Sequence, residues 1–161
     1  MAVVVRPAVA GDAEAIAFVH VTAWQETYRH LLDPVLLDAL RPADRVERWR
    51  SIIEGPEQHV WVAERDGVVV AWATTSSREL SGHPEPLELN GMYALRSVHG
   101  SGVGQALLDA ALGDEPALLW VAADNPRAQA FYARNRFAPD GETGEHELLG
   151  TPVSIVRWVR D

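Results

Sequence analysis

Hydrophobic residues recur along the chain with two spacings, and each spacing predicts a different kind of element. The first run, Val3-Val4-Val5, predicts a short strand that ends at Pro7. Apolar and aromatic residues then repeat every three or four positions, which is the pattern of one helical face. The members of this face are Ile16, Val19, His20, Ala23, Trp24, Thr27, Tyr28 and Leu31. A second helical region follows and is interrupted at Arg41-Pro42, because proline disfavours a helical conformation in the residue before it.

After Gly55-Pro56 the hydrophobic repeat changes to two, which is typical of strands. The predicted strands are 59–63, 68–73, 87–95, 117–122, 145–149 and 153–159, and 117–122 is interpreted as a buried strand. Asp66-Gly67 predicts a hairpin turn between the first two. A loop is expected at Pro84 to Pro86, and Gly91 inside the next strand indicates a bulge or a close approach by another backbone or a ligand.

Two further helices are predicted between these strands. One covers 105–112 and ends at Gly113, and the other begins after the cap Asn125-Pro126. The resulting order is β-α-α-β-β-β-α-β-α-β-β, which indicates an α/β chain. Its 161 residues fit one domain over residues 1–161.

The composition excludes several classes of chemistry. The chain contains no cysteine, and therefore no thiolate nucleophile, disulfide or cysteine-ligated metal. All 14 basic residues are arginine, and the absence of lysine excludes Schiff-base chemistry and a Walker phosphate loop. No metal ion is expected in the site.

The charge of the chain bears on its partners. The formal net charge of −9 at pH 7 disfavours nucleic acids and anionic membranes and suits a cationic substrate. The longest basic cluster, over 45–50, includes an acidic residue and is interpreted as a solvated helix face. No apolar run is long enough to span a membrane, and no signal peptide is recognised, so a cytoplasmic location is predicted.

The most informative segment lies between the strand over 87–95 and the helix over 105–112. Gly100, Gly102 and Gly104 stand there at alternate positions. Glycines leave backbone N–H groups accessible, and a helix start adds the positive end of its dipole, so the turn suits a pyrophosphate. A loop that needs glycine only for positive φ angles is the alternative.

Two motifs in this order resemble the GNAT superfamily of acetyl-CoA-dependent N-acetyltransferases. The family signature Gln/Arg-x-x-Gly-x-Gly/Ala is matched by His99-Gly100-Ser101-Gly102-Val103-Gly104, with histidine at the first position. The second motif is Asn125-Pro126-Arg127-Ala128, followed by Phe131-Tyr132 and Phe137. The resemblance covers almost the whole chain and implies a central, mostly antiparallel mixed sheet flanked by helices.

The resemblance also implies which residues contact acetyl-CoA. Met92, Tyr93 and Ala94 would run beside the pantetheine arm like another strand, and Asn125 would contact the same arm. The residues implied for the pyrophosphate turn are His99, Gly100, Ser101, Gly102, Val103, Gly104 and Gln105.

One departure from the family pattern lies near the end of the second motif. Arg136 stands where a glycine usually precedes Phe137. Asn tolerates the left-handed conformation best after glycine, so we expect Asn135 to adopt it instead.

In this family an amine attacks the thioester directly, through a tetrahedral intermediate. Tyr132 would protonate the departing thiolate as a general acid, unless it is only a core aromatic. Glu88, six residues before Ala94, would accept the ammonium proton directly or through water. Ordered water alone, with Glu88 facing solvent, is the alternative. A backbone N–H on the interrupted strand, such as that of Ala94, would stabilise the oxyanion.

The acceptor cleft is expected beside the first helix. Trp24 and Tyr28 lie one turn apart there, with His20 one turn earlier, and their rings would hold a cationic amine unless they belong to the core. Glu142, Glu145 and Glu147 would add negative potential near the same cleft.

We therefore expect an enzyme that transfers acetyl from acetyl-CoA to a primary amine, with a small molecule as the favoured acceptor. The alternatives are a non-catalytic acyl-CoA-binding module and an enzyme that acetylates a protein N terminus or a lysine. Nucleic acid and membrane partners are not expected, and the resemblance is compatible with a homodimer.

Overall fold

Seven strands form one mixed sheet, and helices cover both of its faces. The computed structural model describes residues 2–77, 79–80, 83–84 and 86–161. The strands are β1 (Val3–Pro7), β2 (His59–Arg65), β3 (Val68–Ser76), β4 (Glu79–Leu80), β5 (His83–Pro84), β6 (Leu87–Ala94), β7 (Ala117–Ala122), β8 (Ala138–Leu148) and β9 (Thr151–Arg160). The helices are α1 (Ala13–Thr27), α2 (Pro34–Asp38), α3 (Val46–Glu54), α4 (Val103–Leu112) and α5 (Pro126–Arg134).

The strand order places one parallel pair inside an otherwise antiparallel sheet. The order is β1-β2-β3-β6-β7-β9-β8, and β6 with β7 is the parallel pair. Strands β4 and β5 pair with each other. The mostly antiparallel mixed sheet expected from the sequence is confirmed. The loop expected at Pro84 to Pro86 includes Glu85, which lies outside the described residues.

Side chains alternate along β3 and so build one core on each face of the sheet. Ala71 and Ala73 pack in a core with α4 and α5, and Trp72 packs in another with α1 and α3. The two helical layers therefore lie on opposite faces. In the described part of the chain, no helix combines the length and the apolarity needed to cross a membrane.

Prolines divide the second helical region, as the sequence predicts. Pro34 begins α2, where the Asp33 side chain accepts a hydrogen bond from the N–H of Val35 at 2.9 Å. Pro42 begins a 3-10 turn that ends at Arg45, and α3 follows directly. Proline suits these first positions because the N–H that it lacks has no partner inside the helix.

Of the features that Gly91 indicates, the bulge is present at the neighbouring residue, and the close approach is made by a side chain. The ladder with β3 skips Asn90 between Leu89 and Gly91, so Asn90 forms a bulge. A Cβ on Gly91 would lie 3.0 Å from the ring of Trp72, which is too close for any other residue without a shift of that ring.

The prediction for the residues before Phe137 is wrong. Asn135 has a φ of −105°, and Arg136 takes the left-handed φ of +71°. The Asn135 amide donates to the carbonyl of Phe131 at 2.9 Å, and its Oδ1 accepts from Gln105 at 2.7 Å. These bonds hold Asn135 at the end of α5, so the left-handed turn falls on the next residue.

Candidate active site

A cleft of about 820 Å³ opens where β6 and β7 separate. The two strands pair over Leu87–Leu89 and Ala117–Leu119, and the ladder ends there although both strands continue. The bulge at Asn90 bends β6 at the same point. Residues of α1 and α3 line the cleft from one face of the sheet, and residues of α5 line it from the other. The cleft therefore connects the two faces.

The main chain of β6 presents an unpaired edge to this cleft. The N–H of Leu95 donates to the carbonyl of Val70 at 3.0 Å, which sets the phase of the ladder between β3 and β6. Backbone groups in an antiparallel ladder alternate between neighbours, so those of Met92 and Ala94 face away from β3. The backbone groups of Tyr93 face β3 instead. An extended ligand can add to this edge as a further strand.

The glycine turn before α4 has open space in front of it. Gly100 and Gly102 have φ angles of +75° and +91°, a region that favours glycine, and a Cβ on either would meet nothing within 4 Å. Helix α4 begins at Val103, and no side chain of the described residues caps it. The N–H groups of its first turn are therefore available to an anion. The Ser101 hydroxyl donates instead to the carbonyl of Val98.

Two other residues of the turn are engaged by the protein. The Gln105 side chain donates to Asp109 at 2.9 Å and to Asn135 at 2.7 Å, so its main-chain N–H is what remains for a ligand. A Cβ on Gly104 would lie 3.5 Å from Cε of Met92, an ordinary contact.

Basic side chains gather beside the turn. Nη1 of Arg127 lies 3.0 Å from Nε2 of His99, and the same Nε2 lies 3.1 Å from the carbonyl oxygen of Ala94. Burial and the Arg127 charge lower the pKa of His99. Burial and the charges of Arg134 and Arg96 lower the pKa of Arg127. Arg127 has no role among the expectations from the sequence, although it lies within the Asn125-Pro126-Arg127-Ala128 motif.

Helix α5 supplies two polar groups to the cleft. Oδ1 of Asn125 accepts a hydrogen bond from the N–H of Ala128 at 3.2 Å and caps the helix, which leaves Nδ2 to donate elsewhere. The Tyr132 hydroxyl makes no hydrogen bond with any described residue. Burial and the nearby Tyr28 raise the pKa of Tyr132 above its usual value. The phenol therefore stays protonated and can donate.

Aromatic rings form the other side of the cleft, and we call this group the aromatic floor. Its members are His20, Trp24, Tyr28, Trp49, Trp72 and Tyr93. Neighbouring ring centroids lie between 4.5 and 6.4 Å apart. The hydroxyls of Tyr28 and Tyr93 lie 2.7 Å apart and share a hydrogen bond.

His20 lies within the aromatic floor and has a defined tautomer. Nε1 of Trp49, which can only donate, lies 3.1 Å from Nδ1 of His20. Nδ1 therefore accepts, and the proton of the neutral ring lies on Nε2. Burial, with the charges of Arg45 and Arg48, lowers the pKa of His20 to about 4. The ring is neutral near pH 7.

The four carboxylates considered for the cleft lie outside its lining, and they are Glu88, Glu142, Glu145 and Glu147. Glu88 is half-buried, and its Oε2 accepts from Nδ2 of Asn90 at 3.2 Å. Asn90 lines the cleft, so Glu88 is one side chain removed from it. On β8, His146 lines the cleft, and strand alternation turns Glu145 and Glu147 away from it.

The structure brings six of the predicted site residues together in the lining of the cleft. Those that line the cleft are Trp24, Tyr28, Met92, Tyr93, Asn125 and Tyr132. Ala94 and the turn over 99–105 follow at the end of β6. Arg45 and Arg48, which the sequence pattern assigned to a solvated helix face, also line the cleft. Trp49 beside them is the one local signal that this face packs against the protein.

The chain is similar to known acetyltransferases in sequence and in fold. Residues 16–137 match the model of the acetyltransferase (GNAT) family. A protein of Mycobacterium tuberculosis, named as a probable N-acetyltransferase, is 28% identical over 144 residues, which cover 86% of this chain and 82% of the relative.

Solved structures share the architecture at low identity. A GCN5-related N-acetyltransferase from Rhodopseudomonas palustris superposes with a TM-score of 0.75 at 18% identity, over 100% of this chain and 96% of that one. The PaiA N-acetyltransferase of Thermoplasma acidophilum, solved in complex with coenzyme A, has a TM-score of 0.69 at 15% identity, over 98% of both chains. At these identities the likeness is one of fold.

Proposed function

This chain belongs to the GNAT family of acetyltransferases, and from this premise we propose that it transfers acetyl from acetyl-CoA directly to the primary amine of a small molecule. The observation that carries the proposal is the cleft between β6 and β7. It contains an unpaired strand edge of β6 and a tyrosine hydroxyl with no protein partner among the described residues, and the glycine turn follows at the end of β6.

The residues along this path suit acetyl-CoA, which runs from phosphates through an extended amide arm to a thioester. The first turn of α4, with His99 and Arg127 beside it, suits the phosphates. Backbone groups of Met92 and Ala94 suit the amides of the arm, and Nδ2 of Asn125 can donate to the same arm. When bound, acetyl-CoA supplies the thioester carbon that the amine attacks.

Tyr132 is proposed to donate its hydroxyl proton toward the departing sulfur. A free thiol has a pKa of about 8.5 and a free phenol one of about 10. Because burial raises the pKa of Tyr132 further, the phenol first stabilises the sulfur by a hydrogen bond. The proton moves only as negative charge develops on that atom.

Glu88 is proposed as the base, acting through water. Its carboxylate is hydrogen-bonded to Asn90, and Asn90 is the bulge residue that reaches the cleft. A water beside Asn90 can pass the ammonium proton to Glu88. A backbone N–H on the interrupted strand β6 is the proposed oxyanion donor.

A small acceptor is favoured because the aromatic floor encloses the acceptor side with ring faces that include Trp24 and Tyr28. A homodimer stays a prediction, which light scattering tests. Strand β8 forms an exposed edge of the sheet, where a second copy can pair.

Calorimetry with two matched glycine variants tests the coenzyme site. Gly102→Asp places a charge in the open space before α4. Gly141→Asp is the control, because Gly141 also has a left-handed φ, +92°, and nothing within 4 Å of its Cβ, yet lies on β8 outside the cleft lining. We expect acetyl-CoA to bind the control normally and Gly102→Asp at least about tenfold more weakly. Equal affinities would contradict the site.

Acetyl transfer is then tested on small amines and on peptides with a free N terminus or a lysine. We expect small amines to be acetylated, and Tyr132→Phe to lower kcat by about 10²-fold or more with little change in the KM for acetyl-CoA. An unchanged kcat would remove Tyr132 from the chemistry. Binding of acetyl-CoA without transfer to any amine would favour the non-catalytic module, and preference for peptides would favour a protein acetyltransferase.

A further inference from the structure

Two arginines on the acceptor side of the cleft have no acidic partner. Arg45, at the end of the 3-10 turn, and Arg48, in the first turn of α3, both line the cleft. Neither forms an ion pair or a side-chain hydrogen bond within the described ranges. Arg50 on the same helix is paired with Glu47. Asp44 is the one carboxylate among the lining residues that the structure describes.

The local charge at this end of the cleft differs in sign from that of the chain. The chain has a net charge of −9, whereas the two unpaired guanidinium groups outweigh Asp44 here. Charges are screened over about 8 Å at physiological ionic strength, so a ligand in the cleft responds mainly to these near groups. An acceptor whose only charge is its ammonium group is repelled at this end.

His20 adds a neutral hydrogen-bond donor at the same place. Its ring lies 5.0 Å from Trp24 and 5.5 Å from Trp72, centroid to centroid. Because Trp49 donates to Nδ1, a turned ring would leave the buried N–H of Trp49 unpaired. Nε2–H has no partner among the residues described, so His20 offers a donor to the cleft and no base.

We propose that the acceptor is a small amine that also carries an anionic group, a carboxylate or a phosphonate. Arg45 and Arg48 bind this group, and Nε2–H of His20 donates to it. A guanidinium donates paired hydrogen bonds to either anion, which is why both chemistries fit. The inference rests on the acetyl-transfer function proposed above and names its substrate class.

Matched acceptors test the substrate class. The panel contains L-amino acids, their carboxamides, the corresponding aminophosphonates and simple polyamines, and kcat/KM is measured from the release of the coenzyme A thiol. We expect an anionic acceptor to exceed its carboxamide by about tenfold or more. Comparison of the carboxylate and phosphonate arms identifies the anion. Equal or better use of carboxamides or polyamines would overturn the inference.

Single charge removals test the residues. Arg45→Gln and Arg48→Gln should each raise the KM for the anionic acceptor by about tenfold, without changing the KM for acetyl-CoA or for the carboxamide. Arg41→Gln is the control, because Arg41 is exposed and outside the lining, and its effect should stay within about twofold. His20→Phe keeps a ring and removes the donor, so it should weaken the preference for the anion. A preference that survives in both cleft arginine variants would refute the assignment.

Tryptophan fluorescence provides a readout that does not need turnover. Trp24, Trp49 and Trp72 line the cleft, so titration of an amino acid or its carboxamide in the presence of coenzyme A reports binding directly. Tighter binding of the anion that is lost in Arg45→Gln supports the inference even where transfer is absent and the proposed function fails. Transfer to amines without any preference for anions keeps the proposed function and overturns the inference.

Discussion

Acidification should destabilise this protein through His20 before most carboxylates become protonated. The pKa of His20 is about 4 in the folded chain, against an ordinary value of 6.5. Between these values the unfolded chain binds the additional proton, so the free energy of unfolding falls as pH decreases through this window. A difference of that size corresponds to about 3 kcal/mol between pH 7 and pH 4. This is a large part of the stability of an ordinary domain.

Urea denaturation at several pH values, on the wild type and on His20→Gln, isolates this contribution. The variant should be less stable at pH 7, and the stability difference should narrow as the pH falls toward 4, since it lacks the titrating ring. The Asp12 carboxylate, whose pKa is lowered mainly by its hydrogen bond with Arg6, loses its contribution only at lower pH. NMR resonances of the six imidazole rings give the direct check. The His20 ring should stay neutral as the pH is lowered to about 5. An apparent pKa of 6 or more for His20, or parallel stability curves, would refute the reasoning.

Three further substitutions test other contacts. Glu88→Gln should lower kcat most at low pH, where the acceptor ammonium most needs to lose its proton; a pH profile of unchanged shape would remove Glu88 from the mechanism. His99→Gln should tighten acetyl-CoA binding in calorimetry by up to about tenfold. The carbonyl of Ala94 and the guanidinium of Arg127 both contact Nε2 of His99, whereas a glutamine amide offers each of them a separate group. Weaker binding would show that the imidazole itself is needed. Tyr28→Phe leaves the Tyr93 hydroxyl unpaired and should lower the free energy of unfolding by about 1–3 kcal/mol, whereas Tyr132→Phe should change it by less than about 0.5 kcal/mol. Equal losses in urea denaturation would contradict that contrast.

The parts of the site that depend on local backbone preference could be predicted from the sequence. Gly102 takes a left-handed φ at the start of α4, and Asn125 caps α5 with its side chain. Each follows from properties of the residue itself and of its immediate neighbours. The same holds for Pro42, which interrupts the second helical region at the position expected. Local chemistry therefore located the glycine turn and the helix that carries Tyr132.

The charges of the cleft could not be predicted in the same way. Arg45 and Arg48 are followed by acidic or apolar residues in a pattern that also suits a solvated helix. Whether their side chains face the cleft depends on the orientation of α3 about its own axis. Packing of Trp49 against His20 and Trp72 sets that orientation. Arg136 illustrates the same limit. It takes the left-handed φ because Asn135 before it is held by a hydrogen bond from Gln105, which is distant in the sequence.

Strand β6 explains how one cleft can serve two faces of the sheet. Met92 points toward α4, where its Cε lies close to Gly104, and Tyr93 points toward the aromatic floor. The backbone groups of Met92 face the gap between β6 and β7. The unpaired strand edge proposed for the coenzyme and the aromatic floor proposed for the acceptor therefore include consecutive residues of β6. The bulge at Asn90 sets the phase of this alternation, since a shift of one residue exchanges the faces of every side chain that follows. The bulge is therefore the local feature that places the acceptor side next to the coenzyme side.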